Sequence, residues 1–228
     1  MTEHRMAVIF DVDGPLLDLT PPETRAFFVP FAQEYGLTDL SEDWDSYHIR
    51  NDVEIYREIL TDHARVSDVE AELERLSQMY FSLLETMFAS GEAAVSAIPG
   101  AAGLLDALTG IDGLALGTAT ANFGPAARLR LERAGLWTPL RHYHFGAEGG
   151  GAKRDILART LDSLNLPGER AVFLGDNLND LDAARANDCH FIGFDLNPDK
   201  RARLFAAGAS IVTNNHVQSL ELIREICA

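Results

Sequence analysis

Apolar positions along the chain fall into two rhythms. Ala7-Val8-Ile9-Phe10 is an unbroken apolar run that ends at Asp11, the pattern of a strand buried on both faces of a parallel sheet. Thr20-Pro21-Pro22-Glu23 has the form of a helix start, with Thr20 as N-cap, Pro21 at the first helical position and Glu23 three residues after the cap. That helix is expected to pass through Phe27, Phe28 and Phe31 to Gly36, its aromatic stripe serving as core packing. Apolar residues then recur at helical spacing: Val53, Tyr56 and Leu60, followed by Val69, Leu73, Leu76, Tyr80, Leu83 and Leu84. The pattern predicts an all-helical insert over residues 16–96.

Ile98-Pro99-Gly100 marks a boundary, after which strand and helix signals alternate. Strands are predicted at Gly113 to Gly117, Tyr143 to Phe145, Ala171 to Leu174, Phe191 to Phe194 and Ser210 to Val212. Helices are predicted at Pro125 to Ala134, Lys153 to Leu164, Leu181 to Asn187 and Ser219 to Ile226. Such alternation implies an α/β fold, a Rossmann-like doubly wound parallel sheet. The core is expected over residues 1–15 and 97–228, with residues 16–96 as a helical cap, and 228 residues suffice for both.

A formal net charge of -16 argues against nucleic acid or anionic membrane as partner, since those select clustered Lys and Arg. No apolar run approaches membrane-spanning length, and no secretory leader pattern opens the chain, so a cytoplasmic location is expected. Cys189 and Cys227 are too few for a disulfide framework or a zinc site. So acidic a protein must hold an anionic substrate through local positive charge, and a divalent metal is one source of it.

Ligand sites in open α/β sheets lie beyond the carboxyl ends of the strands. The polar residues expected there are Asp11 and Asp13, Thr118 and Thr120, and Asp176 and Asp180. Carboxylates gathered this way repel unless a cation joins them, and an all-oxygen set suits Mg²⁺. Mg²⁺ that keeps positions for phosphate points to phosphoryl chemistry, in which a carboxylate can act as nucleophile. Each residue also has a plainer reading. Asp13-Gly14 alone would be a turn, Thr118 a satisfied hydroxyl, Thr120 a helix cap and Arg50 a solvated side chain. His142 and His144, two apart, are read as structural.

Asp11-Val12-Asp13-Gly14, Thr118 and Gly175-Asp176-Asn177-Leu178-Asn179-Asp180 resemble three motifs of the haloacid dehalogenase-like hydrolase superfamily. Ile98-Pro99-Gly100 resembles the turn back into the core of its helical-cap subfamily, which includes phosphoglycolate phosphatases and β-phosphoglucomutases. Arg50-Asn51-Asp52 stands where that subfamily often carries a cap segment. The resemblance implies Asp11 as nucleophile, Asp13 as acid and then base, and Thr118 as phosphate holder. Mg²⁺ would be bound by Asp11, Asp176 and the Asp13 carbonyl, while Asp180 would ligate through water or orient its neighbours. Substrate contacts are expected from Thr118, Thr120 and Arg50. Pro15 replaces the usual Thr, and the third motif's cation could be Lys153 or Arg154. The expected substrate is a small phosphorylated metabolite, and the assembly a monomer or homodimer. A sugar-phosphate mutase or other phosphotransferase, and a non-catalytic phosphate-binding protein, are the alternatives.

Overall fold

The computed structural model describes residues 4–227. The first half comprises β1 (Met6–Phe10), β2 (Leu17–Leu19), α1 (Pro21–Ala26), α2 (Val29–Tyr35), α3 (Asp52–Glu58), α4 (Val69–Ser90) and β3 (Val95–Ala97). Then come α5 (Ala101–Thr109), β4 (Leu114–Ala119), α6 (Gly124–Arg133), α7 (Trp137–Leu140), β5 (His144–Phe145), α8 (Lys153–Leu164) and β6 (Ala171–Gly175). The last elements are α9 (Leu178–Ala186), β7 (His190–Phe194), α10 (Pro198–Ala206), β8 (Val212–Thr213) and α11 (His216–Ile226). Among the described residues, no helix is long and apolar enough to cross a membrane.

The apolar run before Asp11 forms a central strand. Six parallel strands lie in the order β5-β4-β1-β6-β7-β8, so the chain winds outward on one side of β1 and then returns to fill the other. Ala7, Val8, Ile9 and Phe10 are wholly buried. Val8 and Phe10 face Leu104, Leu105 and Ile223 on one side, while Ala7 and Ile9 face Ile156, Leu157 and Ala183 on the other. Two opposed layers account for the absence of polar alternation in β1, and each large side chain so buried contributes about 1.5–3 kcal/mol. The winding reverses between β1 and β6, which opens a crevice above their carboxyl ends.

The insert departs from the expected pattern at three points. It is not helical throughout, because β2 and β3 pair antiparallel through Leu17↔Ala97, Asp18↔Ser96 and Leu19↔Val95. Strands of three residues are too short to show a period. The helix expected from Thr20 to Gly36 is broken at Phe27-Phe28. Pro30 has no N–H to give the Ala26 carbonyl, and Phe27 turns inward against Trp44, Tyr56 and Tyr80. Finally, the capping box does not form. Thr20 Oγ1 accepts the Ala94 amide at 3.1 Å, and Glu23 turns away from the helix end to Arg130 on α6.

The start of α3 clamps the insert to two core loops. Asn51 caps α3 by accepting the amides of Val53 and Glu54, and its Nδ2 donates to the carbonyls of Ala147 (3.4 Å) and Gly151 (3.1 Å). Glu54 Oε1 accepts the Gly151 amide at 3.0 Å. Gly150 has φ +67°, and a Cβ there would run into the Glu54 carboxylate, so both the turn and the close approach require glycine. Asn51→Ala removes the cap and two interlobe bonds together. It is expected to lower stability by about 1–3 kcal/mol, read as a lower urea midpoint at unchanged slope. An unmoved midpoint would mean that the clamp adds no stability.

Candidate active site

Lys153, the first residue of α8, is placed by the loop that precedes it. Asp155 Oδ2 accepts the Ala152 amide at 2.8 Å, which starts the helix, and the ammonium of Lys153 reaches the carboxyl ends of β1 and β6. It lies 2.7 Å from Asp11 Oδ1 and 3.1 Å from Asp180 Oδ1. Burial pulls the lysine pKa down, but Asp11 and Asp180 outweigh it and raise it. Asp11 Oδ1 also accepts the Val12 amide at 2.8 Å, so the other oxygen is the one left for chemistry. Asp180 Oδ2 accepts the amides of Asp176 and Asn177, which fixes the turn after β6.

Asp11, Asp176 and Asp180 offer oxygens within 4.8 Å of one another. Burial, with Asp180 and Asp11 alongside, raises the Asp176 pKa, and burial also raises that of Asp180. Two lysines face four carboxylates here, since Lys200 Nζ lies 3.6 Å from Asp176 Oδ2 and 3.2 Å from Asp195 Oδ2, so the set has the hard-oxygen chemistry and the unmatched negative charge that a divalent cation fits. Gly14, at φ +95°, makes this packing possible, since a Cβ there would lie 2.5 Å from Asp176 Cγ. Pro15, next in the chain, is held through its backbone. Its carbonyl accepts a bond from His216 Nε2 at 2.8 Å, and His216 stacks on Phe194.

Asp13 faces a second group of side chains. Asn122 Nδ2 donates to Asp13 Oδ2 at 2.6 Å, and Arg130 Nη1 lies 3.9 Å from the same oxygen. Burial pushes the Asp13 pKa up to about 6, with Arg130 opposing and Asp11 and Glu23 assisting. Arg130 is itself bound to Glu23 and to the Tyr80 hydroxyl. A cavity of about 510 Å³ joins the two groups, running from Asp11, Asp13 and Asp176 to Glu23, Trp44 and Tyr80 on the insert.

Not every predicted residue reaches this cavity. β4 extends through Ala119 and not to Gly117, so Thr118 lies inside the strand, fully buried, with its hydroxyl bonded to His144 Nδ1 at 2.7 Å. Threonine, being β-branched, continues the strand where glycine had suggested its end. Thr120 is the residue just past the strand, and its Oγ1 accepts the Asn122 amide at 3.3 Å. Arg50 lines the cavity and pairs with Asp45. Arg154 points away, exposed beside Asp155, so Lys153 is the member of the pair brought to the carboxylates. His142 lies outside the short β5, whose His144 bonds Thr118 and the Gly124 carbonyl. Asn122 and Arg130 are cavity residues that sequence reasoning did not single out, and Glu23, which it reads as a helix cap, is a third.

A family model for haloacid dehalogenase-like hydrolases matches residues 6–188. The chain belongs to this family. No curated protein matches it. Among solved structures, this hydrolase is similar to one from Pseudomonas syringae, at 21% identity and TM-score 0.70 over 98% of this chain and 100% of that one. It is also similar to CbbY from Rhodobacter sphaeroides in complex with phosphate, at 26% identity and TM-score 0.62 over 96% of each chain. A third similar structure is a family hydrolase from Deinococcus radiodurans with bound phosphate and sodium, at 21% identity and TM-score 0.58 over 99% of this chain and 97% of that one.

Asp52 links the hydrolase's insert to its site. Its amide donates to the Ala121 carbonyl and its Oδ2 accepts the Phe123 amide at 2.8 Å. Burial pushes its pKa up to about 7, against the Phe123 bond and Arg130, with Asp13 and Glu148 adding to the rise. A raised carboxyl pKa means that the folded state binds the proton more tightly than the unfolded chain, so this contribution to stability falls as pH rises between the two values. Asparagine keeps the acceptor without the charge. Asp52→Asn is therefore expected to match wild type near pH 4 and to exceed it by about 1 kcal/mol or more near pH 8. Thermal denaturation across pH reads this, and a gap that does not change with pH would assign the cost of Asp52 to something other than ionisation.

Proposed function

We propose that this hydrolase is a Mg²⁺-dependent phosphatase of small phosphorylated metabolites that works through an aspartyl phosphate. The observation that carries the reading is the Lys153 ammonium bridging Asp11 and Asp180, with Asp13 alongside across one cavity. Phosphate bound by two of the similar proteins supports it.

The free oxygen of Asp11 attacks phosphorus, and the bond from phosphorus to the leaving oxygen breaks as Asp13 gives that oxygen a proton. Burial raises the Asp13 pKa to about 6, so about a tenth of the molecules carry the proton at pH 7, far more than for an unperturbed carboxyl. Asp13 then takes a proton from the water that attacks the acyl phosphate, which frees Asp11 and inorganic phosphate. Lys153 offsets the charge of nucleophile and phosphate. The phosphate-holding role passes from Thr118, whose hydroxyl is committed to His144, to Thr120, whose O–H remains free to donate. Magnesium, held by Asp11 and Asp176 with Asp180 behind them, would supply further charge neutralisation at the phosphoryl oxygens.

Asp11→Asn is expected to abolish phosphate release while circular dichroism stays native, and release at the wild-type rate would remove Asp11 as nucleophile. Lys153→Ala is expected to cost at least about 10²-fold in kcat, and Arg154→Ala less than about threefold. Equal losses would remove the distinction drawn from their placement. EDTA is expected to stop release and added Mg²⁺ to restore it, whereas activity that survives exhaustive chelation would take the metal out of the reaction.

A further inference from the structure

The insert side of the cavity holds charge that the hydrolytic steps do not use. Arg130 is 4% exposed and Glu23 is fully buried. Arg130 Nε donates to Glu23 Oε1 and its Nη2 to the Tyr80 hydroxyl, each at 2.7 Å. Among the described residues, its remaining nitrogen, Nη1, has no hydrogen-bond partner, and neither does Glu23 Oε2 or Asp13 Oδ1. All three residues line the cavity. One buried donor and two buried acceptors, one of them on the Asp13 of the proposed chemistry, thus line the same cavity and demand a partner.

The charges limit what that partner can be. Glu23 already balances Arg130, and the other cations on the cavity lining, Arg50 and Lys200, are paired with Asp45 and with Asp176 and Asp195, so the surroundings of Arg130 carry no net positive charge to hold an anion. A hydroxyl can accept from Arg130 Nη1 and donate to Glu23 Oε2 or Asp13 Oδ1 with the same oxygen. A carboxylate can only accept, and it would set a further negative charge against Glu23. An alkyl group would leave all three atoms unpaired. Arg130 Nη1 lies 3.9 Å from Asp13 Oδ2, so a group a bond or two past the ester oxygen reaches it. Asp52 and Tyr80 on the insert, the other polar groups near Arg130, add no positive charge.

We propose that Glu23 and Arg130 form a leaving-group subsite that selects phosphate esters bearing an uncharged hydroxyl near the ester oxygen, and that Glu23 excludes esters bearing a carboxylate there. This specificity rests on the phosphatase reading above, and ethyl phosphate, 2-hydroxyethyl phosphate and phosphoglycolate test it, since they differ only in methyl, hydroxyl or carboxylate content at the second carbon. With Mg²⁺ present, wild type is expected to show kcat/KM at least about tenfold higher for 2-hydroxyethyl phosphate than for either of the others. Glu23→Gln is expected to move the ratio of phosphoglycolate to 2-hydroxyethyl phosphate up by about tenfold or more, mainly through KM for phosphoglycolate. Phosphoglycolate cleaved as well as 2-hydroxyethyl phosphate by wild type would overturn the subsite while leaving the phosphatase standing. A wild-type preference that Glu23→Gln leaves untouched would overturn the role of Glu23. Should the variant fail to fold, the wild-type ranking of the three esters still decides the subsite. Failure to cleave any of the three, or p-nitrophenyl phosphate as a general ester, would overturn the phosphatase reading and the subsite together.

Discussion

The Lys153 ammonium is the contact on which the site depends. Parallel strands bring their carboxyl ends to one side of the sheet, and here β1 and β6 bring Asp11, Asp176 and Asp180 with them. The lysine stands at the start of α8, where the helix dipole disfavours a cation, and two carboxylates hold it there. Its position comes from the Gly149-Gly150-Gly151 loop, whose last residue is bound from the insert by Asn51 and Glu54. The electrostatics of the core site are thus tied to the seating of the insert, because one loop serves both.

A second ion pair crosses the same boundary. Glu23 starts in α1 of the insert, and Arg130 lies on α6 of the core. A buried pair of this kind often contributes little net stability, since both ions lose their water. Its value lies in its direction: it brings an arginine to the edge of the Asp13 pocket with two of its three nitrogens already bound. Tyr80 completes the restraint from α4. Tyr80 in turn packs in an aromatic cluster with Phe27, Tyr56 and Phe123, rings drawn from insert and core alike, and apolar surroundings of this kind strengthen the local field.

What could be read in the sequence follows from the range over which each interaction acts. The apolar run before Asp11 and the Gly-Asp turn after β6 are local patterns, and the crevice follows from strand order. Thr118 was misplaced by two residues because Gly117 resembled a strand end. Glu23 was misread because a glutamate three residues after a threonine has the form of a helix cap, and nothing near it in the chain discloses a partner 107 residues away. The choice between Lys153 and Arg154 did leave a trace. Lys153 precedes Ile156 by three residues and Leu157 by four, and both are fully buried, so the phase of α8 turns Lys153 inward. Asn122 and Arg130 left none, being a loop amide and a charge in an ordinary amphipathic stretch.

The place of β1 at the centre of the sheet also sets an order of assembly. Its neighbours are β4, where Met6 meets Leu114, and β6, where Ala7 meets Ala171. During synthesis this strand therefore emerges well before β4 (Leu114–Ala119) and longer still before β6 (Ala171–Gly175). The segment made in the meantime is mostly helical and can form its own apolar cluster from nearby residues, which is the fast kind of folding. When β3 closes on β2, the two ends of that segment come out side by side, and the ribosome delivers α5 and β4 next to a waiting β1. By topology, the insert that lines the cavity of the finished enzyme also holds the two halves of the core within reach of each other.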